Sequence, residues 1–132
     1  MRLIDSILAD AAAIATVRRD IHAHPELCFE EHRTAEIIAN QLAGWGIEIH
    51  RGLGGTGVVG TLQVGNGPGR IGIRADIDAL PITEANQFAH RSRNDGKMHA
   101  CGHDGHTTMV LGAARYLART RNFAGTVHFV FQ

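Results

Sequence analysis

Ile71-Gly72-Ile73-Arg74-Ala75-Asp76-Ile77-Asp78 is the stretch on which the fold turns. Its apolar and β-branched residues read as a buried strand, and the strand ends in charged residues. Upstream, Thr56 to Val64 reads as a second strand and Ile47 to His50 as a short third one, with the turn-rich Gly65-Asn66-Gly67-Pro68-Gly69 closing the run. Further back, Ile4, Ile7, Leu8, Ala11, Ile14, Ala15, Val17 and Ile21 recur at helical spacing, which predicts a helix from about Leu3 to His22. A second helix is predicted from about Glu30 to Leu42, stopped near Gly44. Downstream, residues 83 to 97 are polar and irregular, Thr107 to Arg119 reads as a third helix, and Val127-His128-Phe129-Val130-Phe131 as a last apolar strand. The order α-α-β-β-β-loop-α-β points to an α/β layer architecture. In such folds ligands gather beyond the carboxyl ends of strands, where Asp76 and Asp78 fall.

Composition narrows the function. The chain has 132 residues, 13 Lys and Arg against 13 Asp and Glu, and a formal net charge of zero, which argues against nucleic-acid or anionic-membrane partners. Hydrophobic residues make up 44% and charged residues 20%, the balance of a globular domain. No apolar run approaches the ~18 residues of a membrane span. Asp5 and Asp10 interrupt the apolar residues of the N-terminus, which does not read as a signal peptide. The two cysteines, Cys28 and Cys101, are too few for a disulfide scaffold, and a reduced, cytoplasmic setting is expected. The nine histidines outnumber all Phe, Trp and Tyr together. Histidine is the commonest metal ligand and the usual acid/base group near neutral pH.

Several of these histidines are concentrated in His99-Ala100-Cys101-Gly102-His103-Asp104-Gly105-His106. A thiolate and a neutral imidazole suit zinc and related first-row metals. Cys101 and His103 alternate around Gly102, so an extended or turn segment can aim both at one point. Asp104 is placed to orient a ligand imidazole or to open the following helix. Two other readings stand beside the metal one: a polar loop whose histidines cap a helix or meet solvent, and Cys101 as a nucleophile activated by a neighbouring His. In Arg74-Ala75-Asp76-Ile77-Asp78, the aspartates could serve a metal, a ligand histidine or a substrate, or simply close a strand-end turn. His22-Ala23-His24-Pro25-Glu26-Leu27 reads as structural: Pro25 stiffens the exit from the first helix, the turn sets Leu27 and Phe29 against the core, and Cys28 is expected as a small buried hydrophobe. Gly52-Leu53-Gly54-Gly55-Thr56-Gly57 lacks the Gly-Lys-Ser/Thr ending of a phosphate loop and reads as a flexible entry to a hairpin. Arg115, Arg119 and Arg121 read as a solvated helix face.

Four stretches, in order and spacing, resemble the M20 metallopeptidase family. They are Arg18 to Leu27, Gly55 to Gly60, Arg74 to Pro81, and Met98 to Thr107. The similarity is to its amidohydrolase branch of hippurate hydrolases, N-acyl-amino-acid amidohydrolases and auxin-conjugate hydrolases. The resemblance implies a three-layer α/β/α, zinc-peptidase-like catalytic domain with a mixed sheet, carrying two divalent ions (Mn, Zn, Ni or Co). It makes Cys101 and His103 metal ligands, and Asp76 the candidate catalytic residue that supports the metal centre from beside a ligand. Asp104 and His106 belong to the motif without being assigned as ligands. The implied reaction is attack of metal-activated water on the amide carbon of an N-acyl amino acid, with a glutamate as general base and then acid.

In that family a strand like 125–131 runs into a Gln-Pro-Ala-Glu-Glu segment that supplies the catalytic glutamate, and this chain ends at Gln132. Residues 1–132 therefore read as the N-terminal part of an incomplete catalytic domain, without the inserted dimerisation domain or the remaining strands. Such a chain is expected to be inactive alone and the full-length form to be a homodimer or homo-oligomer. The alternative is a standalone metal-binding or interaction module, motivated by an open apolar edge along 127–131.

Overall fold

A computed structural model describes residues 4–132; Leu3, where the first helix was expected to begin, lies outside them. In chain order the elements are α1 (Asp5–Ala23), α2 (His32–Gly44), β1 (Glu48–Leu53), β2 (Gly57–Val64), β3 (Arg70–Ala75), α3 (His103–Thr120) and β4 (Gly125–Phe131). The sheet order is β1-β2-β4-β3, with β1–β2 and β2–β4 antiparallel and β3–β4 parallel, so the sheet is mixed as expected.

Strand periodicity sends alternate residues of β2 and β4 to one face. Val58 and Leu62 of β2, and Val127, Phe129 and Phe131 of β4, are buried there against Ile38, Ala39 and Leu42 of α2 and Val110, Leu111 and Ala114 of α3. Gly60 sits where α2 comes closest: a β-carbon would lie 3.0 Å from Leu42 Cδ1 and 3.1 Å from Ile47 Cγ2. Helix α1 packs on α3. The entry to α2 is fixed from upstream, because the Glu26 carboxylate accepts the backbone N–H groups of Arg33 and Thr34 at 2.9 and 2.8 Å. These are orphan donors of the helix's first turn.

The structure departs from the sequence pattern at several points. The 127–131 strand is interior, flanked by β2 and β3, so the edge that motivated a standalone module does not exist there. Among the described residues the outer strands of the sheet are β1 and β3, and β3 is largely exposed, with Ile71 58% accessible. Helix α3 begins at His103, not Thr107, because Gly102 adopts φ 81 and lets the chain turn directly into the helix. Phe29 and Cys28 are exposed, since Phe29 occupies a tight turn at φ 66 that aims the chain outward. Arg119 and Arg121 are exposed as expected, and Arg115 and Arg119 in addition pair with Asp10 of α1 at 3.1 Å, tying α3 to α1.

Candidate metal centre

Beyond β3 the chain stays extended, and the period of two persists. Ala75, Ile77 and Ala79 are buried, while Asp76 and Asp78 lie between them, half-buried, on the other side. The segment is pinned by parallel pairing of Leu27 with Ala79 and antiparallel pairing of Leu80 with Met98. The Thr107 hydroxyl donates to the Asp76 carbonyl at 3.1 Å, which docks the N-terminal part of α3 on the strand end.

This docking brings Asp76, His103 and His106 together: one donor atom from each lies within 4.8 Å of the others. His106 Nδ1 donates to Asp76 Oδ1 at 2.7 Å, and His103 Nε2 lies 3.4 Å from Asp76 Oδ2. His103 Nδ1 donates to Asp78, reaching its backbone oxygen and Oδ1 at 2.9 Å each. That contact fixes the tautomer and leaves the Nε2 lone pair facing Asp76, as in metal-ligating imidazoles held by an outer carboxylate. Burial works against the Asp76 carboxylate, but the His106 hydrogen bond and the two neighbouring imidazoles outweigh it and hold its pKa below the usual value. An ionised oxygen donor beside an imidazole lone pair is a set that borderline divalent cations accept, so the residues fit the metal implied by the motif.

Of the residues singled out in the sequence, Asp76 and His103 meet in this group. Cys101 is exposed and stands outside the three-donor group, two residues before His103. His106, left unassigned from the motif, supplies the third donor. Its i, i+3 spacing from His103 is the signal, legible once α3 is started at His103. Asp78 is the partner of His103, and Asp104 is not.

Asp104 belongs to a second network behind the centre. The His22 imidazole bridges two carboxylates, through Nδ1 to Asp104 Oδ2 and through Nε2 to Glu84 Oε1, each at 3.0 Å. Arg18 Nε donates to Asp104 Oδ2 at 3.1 Å. Asn86 and the Ser92 backbone N–H donate to Glu84. Burial opposes ionisation of Glu84, but these donors prevail and bring its pKa down to about 2. Asp104 is lowered in the same way, burial being outweighed by the hydrogen bonds from His22 and Arg18 and by the Arg18 charge. Burial pushes His99 down to about 4, so this ring is neutral at pH 7 and adds no positive charge beside a cation site. His22 is thus held in a buried charge network, and Phe29 does not pack against the core as the sequence suggested.

The class of protein is thus an α/β domain with a metal-capable donor group at the carboxyl ends of its strands. The family model of peptidase family M20/M25/M40 matches residues 72–132, the part that holds most of β3, the donor group, α3 and β4. It is 46% identical to a hippurate hydrolase of Campylobacter jejuni over all of this chain and 34% of that protein. It is also 46% identical to an N-acyl-L-amino acid amidohydrolase of Geobacillus stearothermophilus, over 99% of this chain and 35% of the relative. Among solved structures, the YXEP protein of Bacillus subtilis, a dinuclear metal-binding peptidase of the M20 family, superposes with a TM-score of 0.89 at 44% identity, covering 95% of this chain and 36% of that one. The chain spans about a third of the length of the curated relatives it matches. Among the described residues no helix is long and apolar enough to cross a membrane.

Proposed function

We propose that this chain forms the metal-binding part of an amidohydrolase that cleaves the amide bond of N-acyl amino acids, with hippurate-like compounds as substrates. The observation that carries the reading is the Asp76–His103–His106 donor group, with Asp78 holding the far nitrogen of His103. The activities named for the two relatives at 46% identity support the substrate class. In this reading Cys101 and His103 are metal ligands, and Asp76 supports the centre beside them. The metal is a pair of divalent ions drawn from Mn, Zn, Ni and Co. A divalent cation held there would supply Lewis acidity toward water and toward a substrate carbonyl. The chain's own contribution is positional. Asp78 keeps the His103 lone pair aimed at Asp76, and the lowered pKa of Asp76 keeps it an ionised acceptor at neutral pH.

A cytoplasmic setting is supported by two free cysteines, and the lack of nucleic-acid or membrane partners by zero net charge. Residues 1–132 form the N-terminal part of the catalytic domain, and the longer protein is a homodimer or homo-oligomer. Alone, the chain hydrolyses these substrates weakly or not at all.

The test is benzoylglycine hydrolysis with added Mn, by this chain alone and by the same chain extended with the remaining part of the Campylobacter jejuni hydrolase. The expected result is turnover only in the extended protein, abolished by Cys101→Ala and by His103→Ala. Robust turnover by the short chain would remove the claim of dependence on the remainder. Unimpaired activity in the two variants would remove the ligand assignment.

A further inference from the structure

We propose that a cleft beside the donor group binds both ends of an N-acyl amino acid, Arg74 taking the carboxylate and Phe29 packing the acyl group. The proposal rests on the amidohydrolase reading above and deepens it.

The cleft has a volume of about 180 Å³ and lies between the Leu27–Glu30 turn, the β1–β2 hairpin and the ends of β3 and β4. Its walls include Phe29, Leu53, Thr56, Arg74, Asp78 and Gln132. Phe29 is the informative residue. Its turn is closed by the Glu30 N–H donating to the Leu27 carbonyl at 2.9 Å. Phe29 occupies the third position at φ 66, with 73% of its surface exposed. Glycine or asparagine fits such a position, and a bulky β-carbon is strained there. The exposed ring gains nothing from the core that would offset the strain. A strained aromatic facing a cleft is what functional sites retain against folding preference. Leu53, 51% exposed, adds a second apolar surface to the same cleft.

The polar end is equally specific. The Arg74 side chain is 55% exposed and its guanidinium is only loosely engaged: Nε donates to Gln132 Oε1 at 3.3 Å, and Nη1 lies 3.9 Å from Asp76 Oδ2. Its planar fork is left to take a carboxylate in two parallel hydrogen bonds. Asp78 lines the cleft and also holds His103, which connects the cleft to the donor group. A molecule with a carboxylate at one end, an apolar group at the other and an amide between them matches this order of surfaces. A free aryl acid shares part of that chemistry and is one arm of the test.

The experiment is a ligand-observed NMR titration of the metal-free chain with N-benzoylglycine, N-acetylglycine, benzoate and N-methylbenzamide. N-benzoylglycine is expected to bind about tenfold more tightly than N-acetylglycine, the gain of burying one aromatic ring incompletely. Phe29→Gly should remove most of that advantage, leave N-acetylglycine unchanged and not lower the melting temperature. Phe29→Asn, tolerant of positive φ, should do the same. Arg74→Gln should weaken both acylglycines and leave N-methylbenzamide unchanged. Equal binding of benzoyl- and acetylglycine, equal loss of both in Phe29→Gly, benzoate binding as tightly as benzoylglycine, or no binding at all would each overturn the proposal. These failures leave the amidohydrolase reading intact if the extended protein still turns over benzoylglycine. Absence of turnover with the binding pattern present would do the reverse.

Discussion

Replacing His22 by leucine tests the buried charge network behind the candidate centre. The Asp104 and Glu84 side chains are 1% and 3% exposed, and the imidazole between them is 11% exposed. Removing one partner from a buried pair costs about 3–5 kcal/mol, because a charge is left uncompensated. Asp104 keeps Arg18, and Glu84 keeps Asn86 and the Ser92 N–H, so the lower end, about 3 kcal/mol, applies. At roughly 4 °C per kcal/mol for a domain of this size, the melting temperature should fall by about 10 °C. The acid limb provides the second readout. Glu84 has its pKa lowered on folding, so its contribution is complete above the ordinary value of 4.5 and is lost as pH falls toward about 2. That interval corresponds to on the order of 3 kcal/mol at 1.36 kcal/mol per pH unit, and solvent screening in the polar 83–97 loop brings it to about 1–2 kcal/mol. Urea unfolding followed by far-ultraviolet circular dichroism at pH 7, 4.5 and 3 measures both effects. Wild type should lose stability below pH 4.5, and His22→Leu should start lower and lose less. A variant within 1 kcal/mol of wild type at pH 7, or one with the wild-type acid limb unchanged, would refute the bridging role.

Further outcomes follow from packing and from the support of the ligand imidazole. Phe129→Ala removes a fully buried ring from the interior strand and should cost about 3–5 kcal/mol in urea unfolding. Gly60→Val should cost about 1–3 kcal/mol, because its side chain meets Leu42 and Ile47, and Leu42→Ala should partly rescue it in a double-mutant cycle. Asp78→Asn should weaken zinc binding about 10–100-fold in calorimetric titration while leaving the fold intact, since Asp78 orients His103 without belonging to the donor group.

The sequence makes local periodicity and contiguous motifs legible, and little that depends on distant pairing. Helix α2 and strand β2 lie within two residues of their expected bounds, because their apolar spacing is strong and glycines punctuate their ends. Asp76 and His103 are recognisable because each sits in a dense polar motif, one just after a strand and one at the start of a helix. The bridge from His22 to Glu84 and Asp104 spans 62 and 82 residues, and no local pattern encodes it. The position of β4 inside the sheet is hidden for the same reason. An apolar strand looks alike at an edge and in the interior, and only pairing with both β2 and β3 decides between them. Phe29 escapes because composition favours burial of an aromatic residue, whereas the positive φ of its turn turns it outward.

Metal binding by the donor group around His103 is tested most directly by isothermal titration of the purified chain with zinc. Wild type should bind zinc saturably, and Asp76→Asn and His103→Asn should each weaken binding at least about tenfold without unfolding the chain. A wild-type chain that binds no zinc, or variants that bind it as tightly as wild type, would contradict the metal centre.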